Sequence, residues 1–135
     1  MINPNSQHSR YKIALHKNVK YADLAFFGGV TLEIANDAFI ELLEHRLFRH
    51  NMHACYDFTQ AIIETDMKEL EQHAEFVSHY THQRGTTYKL AMVTDETLNS
   101  ALLNVYRLLI SKTTIEAEVF SRKKQALLWL NQDAF

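Results

Sequence analysis

The run A-C-Y-D-F-T-Q-A-I-I-E-T-D-M-K-E-L at residues 54–70 decides the fold. Its first six residues, 54–59, are rich in apolar and aromatic side chains and read as a short buried strand. Asp66 followed three residues later by Glu69 is a D-x-x-E capping box, in which each side chain binds the other residue's backbone N–H, so a helix starts there. A buried strand, a loop and a capped helix in succession make half of a β-α-β unit.

Working downstream, this helix runs to Gly85, a natural residue just past a helix end. Residues 88–93 (Y-K-L-A-M-V) read as the next strand, and Thr94-Asp95 as the cap of a helix extending to about residue 112. Residues 117–120 form a last strand, after which Ser121 caps a final helix carrying Ala126, Leu127, Trp129 and Leu130. Working upstream, Thr31 is a helix cap with Glu33 in the first turn. Leu32, Ala35, Phe39, Leu43 and Leu47 follow with helical spacing, and this helix is expected to end near His50-Asn51. Before it, Tyr11, Ile13 and Leu15 alternate with Lys12, Ala14 and His16, the period of a half-buried strand. A second strand over residues 24–27 stops at Gly28-Gly29, with a turn over 18–22 making the pair a hairpin.

The order is therefore β-β-α-β-α-β-α-β-α. It predicts an α/β domain with a mainly parallel sheet, an N-terminal β-hairpin and four main helices joined by right-handed crossovers. Residues 1–10 form a polar, flexible N-terminal lead-in and residues 11–135 a single domain.

Composition narrows the function classes. Of 135 residues, 47% are hydrophobic and 22% charged, which are globular values, and the net charge of −2 carries no basic excess for nucleic acid. Cys55 is the only cysteine, so no intrachain disulfide forms and a reducing compartment is expected. The first ten residues lack the apolar segment of a secretory signal, and no run approaches the ~20 apolar residues of a membrane span. The expected location is cytoplasmic.

No G-x-S-x-G elbow, Walker A loop or dinucleotide fingerprint occurs, so no catalytic residue and no cofactor is assigned. Glu75, His79 and His82 share one face of the second helix, but that face lies opposite the apolar one and no H-E-x-x-H string is present. It reads as a solvated face, and no metal is expected. His73 falls instead in the apolar arc, as a core histidine held by a backbone carbonyl or as a pocket residue. His45, His50 and His53 gather at the end of the first helix, where imidazoles meet the helix dipole favourably. Cys55, on a buried strand, is expected to be inert.

The helix that follows Asp95 is unusually apolar. Leu98, Leu102, Val105, Tyr106 and Leu109 form a core stripe, widened by Ala101 and Leu108 on one flank and Leu103 and Ile110 on the other. The apolar arc spans roughly 220°, where a surface helix needs about 100°. Either neighbouring helices cover both flanks or part of the arc meets a partner or ligand. The candidate interface residues are Leu103, Leu108 and Ile110, and a homodimer is the expected form of association.

Several strings resemble one known family. V-F-S-R-K-K-Q-A-L-L-W-L at residues 119–130 is similar to the terminal strand and helix of the SpoIIAA-like (STAS/SEC14-type) bacterial proteins, which often end in a pattern like V-F-x-x-x-x-x-A-x-x-W-L. M-V-T-D-E-T-L at 92–98 and C-Y-D-F-T at 55–59 resemble that family too. The resemblance implies a (β-α) superhelical domain related to anti-sigma-factor antagonists, in which a serine in a D-S-S-G-like string at a helix start accepts phosphate. The matching stretch here is E-T-D-M-K at 64–68, where the serine position falls on Asp66 or Thr65 and the glycine is absent. Asp66 already carries a negative charge of the kind phosphorylation adds.

In open α/β sheets ligands meet the carboxyl ends of the parallel strands. That edge is expected to carry Asp57, Thr59, Thr65, Asp66, Thr94, Asp95 and Ser121. The functional expectation is a non-catalytic regulatory or protein-interaction module, with a protein partner or a second copy. The alternative is a carrier for a small apolar or lipid-like ligand, which the SEC14-type resemblance also implies.

Overall fold

A computed structural model describes residues 10–132 of the chain. Apart from Arg10, the lead-in expected at residues 1–10 lies outside the described residues, as do residues 133–135. Five strands, β1 (Tyr11–Ala14), β2 (Tyr21–Val30), β3 (His53–Ile63), β4 (Lys89–Val93) and β5 (Glu116–Phe120), form one sheet in the order β1-β2-β3-β4-β5. β1 is antiparallel to β2, and every later pairing is parallel. The helices are α1 (Leu32–Glu44), α2 (Met67–Ser78), the single turn α3 (Thr81–Arg84), α4 (Thr97–Leu109) and α5 (Lys123–Leu130).

Because each crossover advances by one strand with the same hand, α1, α2 and α4 fall on one face of the sheet, where α2 lies between the other two. Under them sits the main core, built from the inward residues Tyr11, Ile13, Leu24, Phe26, Tyr56, Phe58, Leu90 and Met92 of the strands and Leu42, Leu70, Leu103 and Tyr106 of the helices. α5 crosses to the other face and covers β3 and β4 through Ala126 and Leu130, against Cys55, Ala91 and Val93. β4, covered on both faces, is buried along its whole length.

The element boundaries depart from the sequence expectation in ways that have physical causes. β2 does not stop at Gly28-Gly29 but continues to Val30, because the long β3 pairs with it through Ile63. Gly28 has φ +68°, and a Cβ there would press on the Arg10 guanidinium. α1 ends at Glu44, well before residue 50, because His45 turns to an extended conformation and its Nδ1 accepts the Leu47 N–H at 3.1 Å. The second helix breaks after Ser78 and resumes as α3, which Gly85 closes at φ +92°. Any Cβ at Gly85 would strike Asn51. The cap of α4 is Glu96, whose carboxylate accepts the Leu98 and Asn99 N–H groups, so neither Thr94 nor Asp95 is the cap. Ser121 does not cap α5 either, since Arg122 holds the cap position and contributes no side-chain bond.

α4 is also rotated from its expected setting. The buried residues are Asn99, Leu103, Tyr106 and Ile110, whereas Leu98 and Leu109 of the expected stripe are exposed. At ~100° per residue the buried face is turned by roughly a quarter of a revolution. Leu103 and Ile110 therefore belong to the core of their own chain, and of the three residues expected at an interface only Leu108, 64% exposed, faces outward.

Candidate functional site

β3 outruns β4. Its pairing with β4 ends at Asp57–Val93, yet the strand continues for six residues beside β2 alone. This overhang bends at a bulge, where β2 passes from Ala25 to Phe27 while β3 passes from Asp57 to Gln60. Asp57 supports the bulge, its Oδ1 accepting the Thr59 N–H at 2.9 Å and the Thr59 hydroxyl at 2.7 Å. On the open side, where a strand would continue the sheet, stands the side chain of Asn99. It is fully buried, accepts the Ile63 N–H at 2.9 Å and donates to the Ala61 carbonyl at 2.9 Å and the Thr94 hydroxyl at 3.3 Å. One amide thus satisfies a donor and an acceptor of a strand with no partner there.

The seven residues expected along the carboxyl edge do not form one site. Asp66 and Glu69 build the predicted capping box, with bonds of 2.8 and 3.1 Å. Thr94 is buried, accepts the Glu96 N–H and the Asn99 amide, and sends its own N–H to Phe120. Thr65 points its hydroxyl inward, buried and without a hydrogen-bond partner. Asp57 and Thr59 are tied to each other at the bulge, and Asp95 and Ser121 are exposed.

Lys123, at the start of α5, donates to Asp23 at 2.7 Å and lies 4.0 Å from Asp57. Burial pulls the Lys123 ammonium down, but the Asp23 hydrogen bond and charge outweigh it, and the net shift is upward. Cys55, completely buried in the neighbouring row, has its thiol pushed up to about 12 by burial and by the Asp23 charge, so it is a poor nucleophile.

Beneath the edge lies a cavity of about 60 Å³ between the sheet and the three helices. Its walls are apolar, from Phe26, Val30, Ile63, Leu70, Met92 and Leu103, and five of its lining side chains carry polar atoms: Tyr56, Thr65, Glu69, His73 and Tyr106. His73 was expected on a backbone carbonyl or in a pocket. It lines the cavity, and its Nδ1 pairs at 2.7 Å with Oδ1 of Asn36, a side chain of α1. The amide oxygen accepts, so Nδ1 carries the proton and Nε2 is left as an acceptor. Burial holds this imidazole down to about 4. Burial also raises the phenols of Tyr56 and Tyr106, which stay protonated donors.

Among the described residues, no group of three or more His, Cys, Asp or Glu side chains is placed to hold a metal ion. Glu75 and His79 are exposed and 3.9 Å apart, and His82 lies on α3. Asn99, Arg84, Tyr56 and Tyr106 were not singled out by sequence for these positions. The only signal for Asn99 was a polar residue interrupting an apolar helix, and for Arg84 its place directly before Gly85.

No protein-family model matches the chain, and no curated protein matches it. Four chains of solved structures do. One is an uncharacterized protein of the DUF3478 family, with a SpoIIAA-like fold, from Shewanella loihica PV-4. It superposes with a TM-score of 0.57 over 93% of this chain and 98% of that one, at 16% identity. At that identity the likeness speaks for the fold alone.

Proposed function

Proceeding from the SpoIIAA-like fold, we propose that the chain is a one-domain, non-catalytic protein-interaction module of regulatory type, working in the cytoplasm. The observation that carries this reading is an exposed apolar corner at the carboxyl edge. Ile62 is the penultimate residue of the β3 overhang, Met67 opens α2 four residues after the strand's end, and Leu98 adjoins the residue that grips Ile63; they are 50%, 62% and 58% exposed. Of the neighbouring polar groups, Asp66 and Glu69 are engaged in the cap and Asp57 and Thr59 at the bulge, while Glu64, Lys68 and Asp95 leave a charged rim beside the apolar side chains. Exposed large apolar side chains at one edge of a sheet are the kind of surface that an interaction site uses. Leu108 and Leu109 extend the exposed apolar surface along α4, and we place self-association on that flank.

A site-specific photo-crosslinker tests the docking corner. Placed at Met67 in cells, it yields discrete protein adducts that vanish on Leu98→Glu, while the same group at Lys17 yields none. Absence of adducts from position 67 would overturn the reading. In no described helix is there the length and apolarity to cross a membrane, in keeping with a module that is not anchored by such a helix.

The cavity favours the second reading, a small-ligand binder. Its size argues against a whole lipid: at about 60 Å³ it is smaller than the ~150 Å³ apolar cavity known to take up benzene.

A further inference from the structure

The four connections at the amino ends of the parallel strands are residues 15–20, 45–52, 79–88 and 110–115. They carry Lys17, Lys20, Arg46, Arg49, Arg84 and Lys112, and not one aspartate or glutamate. The connections at the opposite edge carry Glu64, Asp66, Asp95 and Glu96 against Arg122 alone. A net charge of −2 thus conceals a strongly polarised domain. Cations suit the negative helix ends at the amino edge, where α1 and α4 finish, and that accounts for an isolated residue such as Lys112. It does not account for three cations around one hollow. Lys17, Arg46 and Arg49, with Leu47 and Phe48, line an open depression of about 190 Å³, and no carboxylate belongs to that lining. All three are exposed, and among the described residues none of them forms an ion pair.

The hollow is held in shape by the backbone that carries it. Loop 45–52 closes on itself through the Phe48 N–H to the His45 carbonyl at 2.9 Å and the Met52 N–H to the Arg49 carbonyl at 3.0 Å. Asn51 moors it to the 79–88 connection: its N–H donates to the Arg84 carbonyl at 2.9 Å, and its amide oxygen accepts the Thr87 N–H at 3.0 Å. Phe48 also lies 5.5 Å, centre to carbon, from the guanidinium of Arg84, which is 2% exposed and sits 3.5 Å over the Tyr88 ring with Nη1 buried and without a hydrogen-bond partner. A fourth cation, without an ion pair among the described residues, therefore stands one ring away from the hollow.

We propose that this hollow binds the phosphate of a small organic phosphomonoester. Two guanidinium forks and an ammonium, brought together from two loops, match a dianion with three acceptor oxygens, whereas a carboxylate offers one charge and two oxygens. Leu47 and Phe48 supply apolar contact for the organic part, and the volume exceeds the ~150 Å³ of a cavity known to take up benzene. The site lies at the opposite edge from the apolar corner of Ile62, Met67 and Leu98, and does not depend on it.

Amide NMR of the full chain in low-salt buffer, titrated with phenyl phosphate, inorganic phosphate, benzoate and a phosphoserine peptide, tests this. Phenyl phosphate is expected to shift the Lys17, Arg46, Leu47, Phe48 and Arg49 signals saturably, with inorganic phosphate weaker on the same signals and benzoate weaker by about tenfold or more. Arg46→Gln and Arg49→Gln, both at exposed positions, should each weaken phenyl phosphate about tenfold with the fold intact. Lys112→Gln, at the same edge but outside the hollow, should change it by less than about twofold. The site is overturned by benzoate binding as tightly as phenyl phosphate, by the lack of any saturable shift with phenyl phosphate, or by Lys112→Gln costing as much as Arg49→Gln. A phosphoserine peptide that binds more tightly than phenyl phosphate overturns the small-molecule assignment in favour of a phosphorylated protein segment.

Discussion

Asn99 holds the backbone of Ile63 from the side of the sheet where no strand lies, its amide oxygen 2.9 Å from the Ile63 nitrogen. The same amide donates to Ala61, so α4 is fastened to the β3 overhang by a side chain imitating a strand edge. Asn99→Leu keeps the volume but leaves the Ile63 N–H and the Ala61 carbonyl unpaired in a buried place. Each orphan costs about 1–3 kcal/mol, so the variant should lose about 2–6 kcal/mol in urea unfolding. Asn99→Ala adds a void and should be no milder. A loss below about 1 kcal/mol for Asn99→Leu would show that water or a backbone shift replaces the amide.

His73 makes stability depend on pH in a defined window. Its folded value of about 4 lies below the ordinary 6.5, so the unfolded chain binds the proton more readily between these values. The stabilisation is whole above pH 6.5 and is lost as pH falls toward 4. At 1.36 kcal/mol per unit the loss approaches about 3 kcal/mol. His53, lowered by burial and then by the Lys89 and Arg84 charges, acts in the same direction. Urea midpoints measured at pH 7 and pH 4.5 should therefore differ, and His73→Gln should remove the larger part of the difference. An unchanged pH slope in His73→Gln would refute the assignment.

Much of the fold was legible because strand, cap and helix signals agreed: the Asp66–Glu69 box, the Thr31 cap and the apolar run at 88–93 lie in the elements they indicated. What was not legible turned on polar residues in apolar places. Counting apolar positions set α4 by Leu98 and Leu109, whereas the helix is oriented by Asn99, whose burial depends on a strand overhang that no local pattern announces. Arg84 escaped for the same reason, since an arginine ahead of a glycine reads as a solvated helix end. The edge residues were identified as polar groups at strand ends. Their side chains, however, are spent within a turn of themselves, as the Asp57–Thr59 and Asp66–Glu69 pairs show.

Asp66 acts as a cap. Its side chain takes the Glu69 N–H while Glu69 returns to the Asp66 N–H. Asp66→Ala should cost about 1 kcal/mol, the usual value for a lost N-cap, with Asp66→Ser recovering most of it. Phosphate at this helix start is not expected, because the adjoining Thr65 hydroxyl is turned into the protein. Denaturant curves of the two variants check the first statement, and intact-mass and phosphopeptide analysis of protein from native cells checks the second.

The exposed flank of α4 separates a folding role from an association role within one helix. Leu103 is 4% exposed and Leu108 64%, and their separation of five positions turns the two side chains to well-separated faces. Leu103→Glu places a carboxylate in the core beside Tyr106 and Met92 and should unfold the protein or cost more than about 4 kcal/mol. Leu108→Glu replaces an exposed residue and should change monomer stability by no more than about 0.5 kcal/mol. If Leu108 sits in a face that pairs two copies, the same substitution desolvates an unpaired charge on association and should shift the mass measured by light scattering from dimer to monomer with the circular dichroism spectrum unchanged. A wild-type protein that is monomeric at high concentration removes self-association from the proposed function. A Leu108→Glu protein that stays dimeric moves the contact elsewhere, to the corner of Ile62, Met67 and Leu98, where Leu98→Glu is the next substitution to measure.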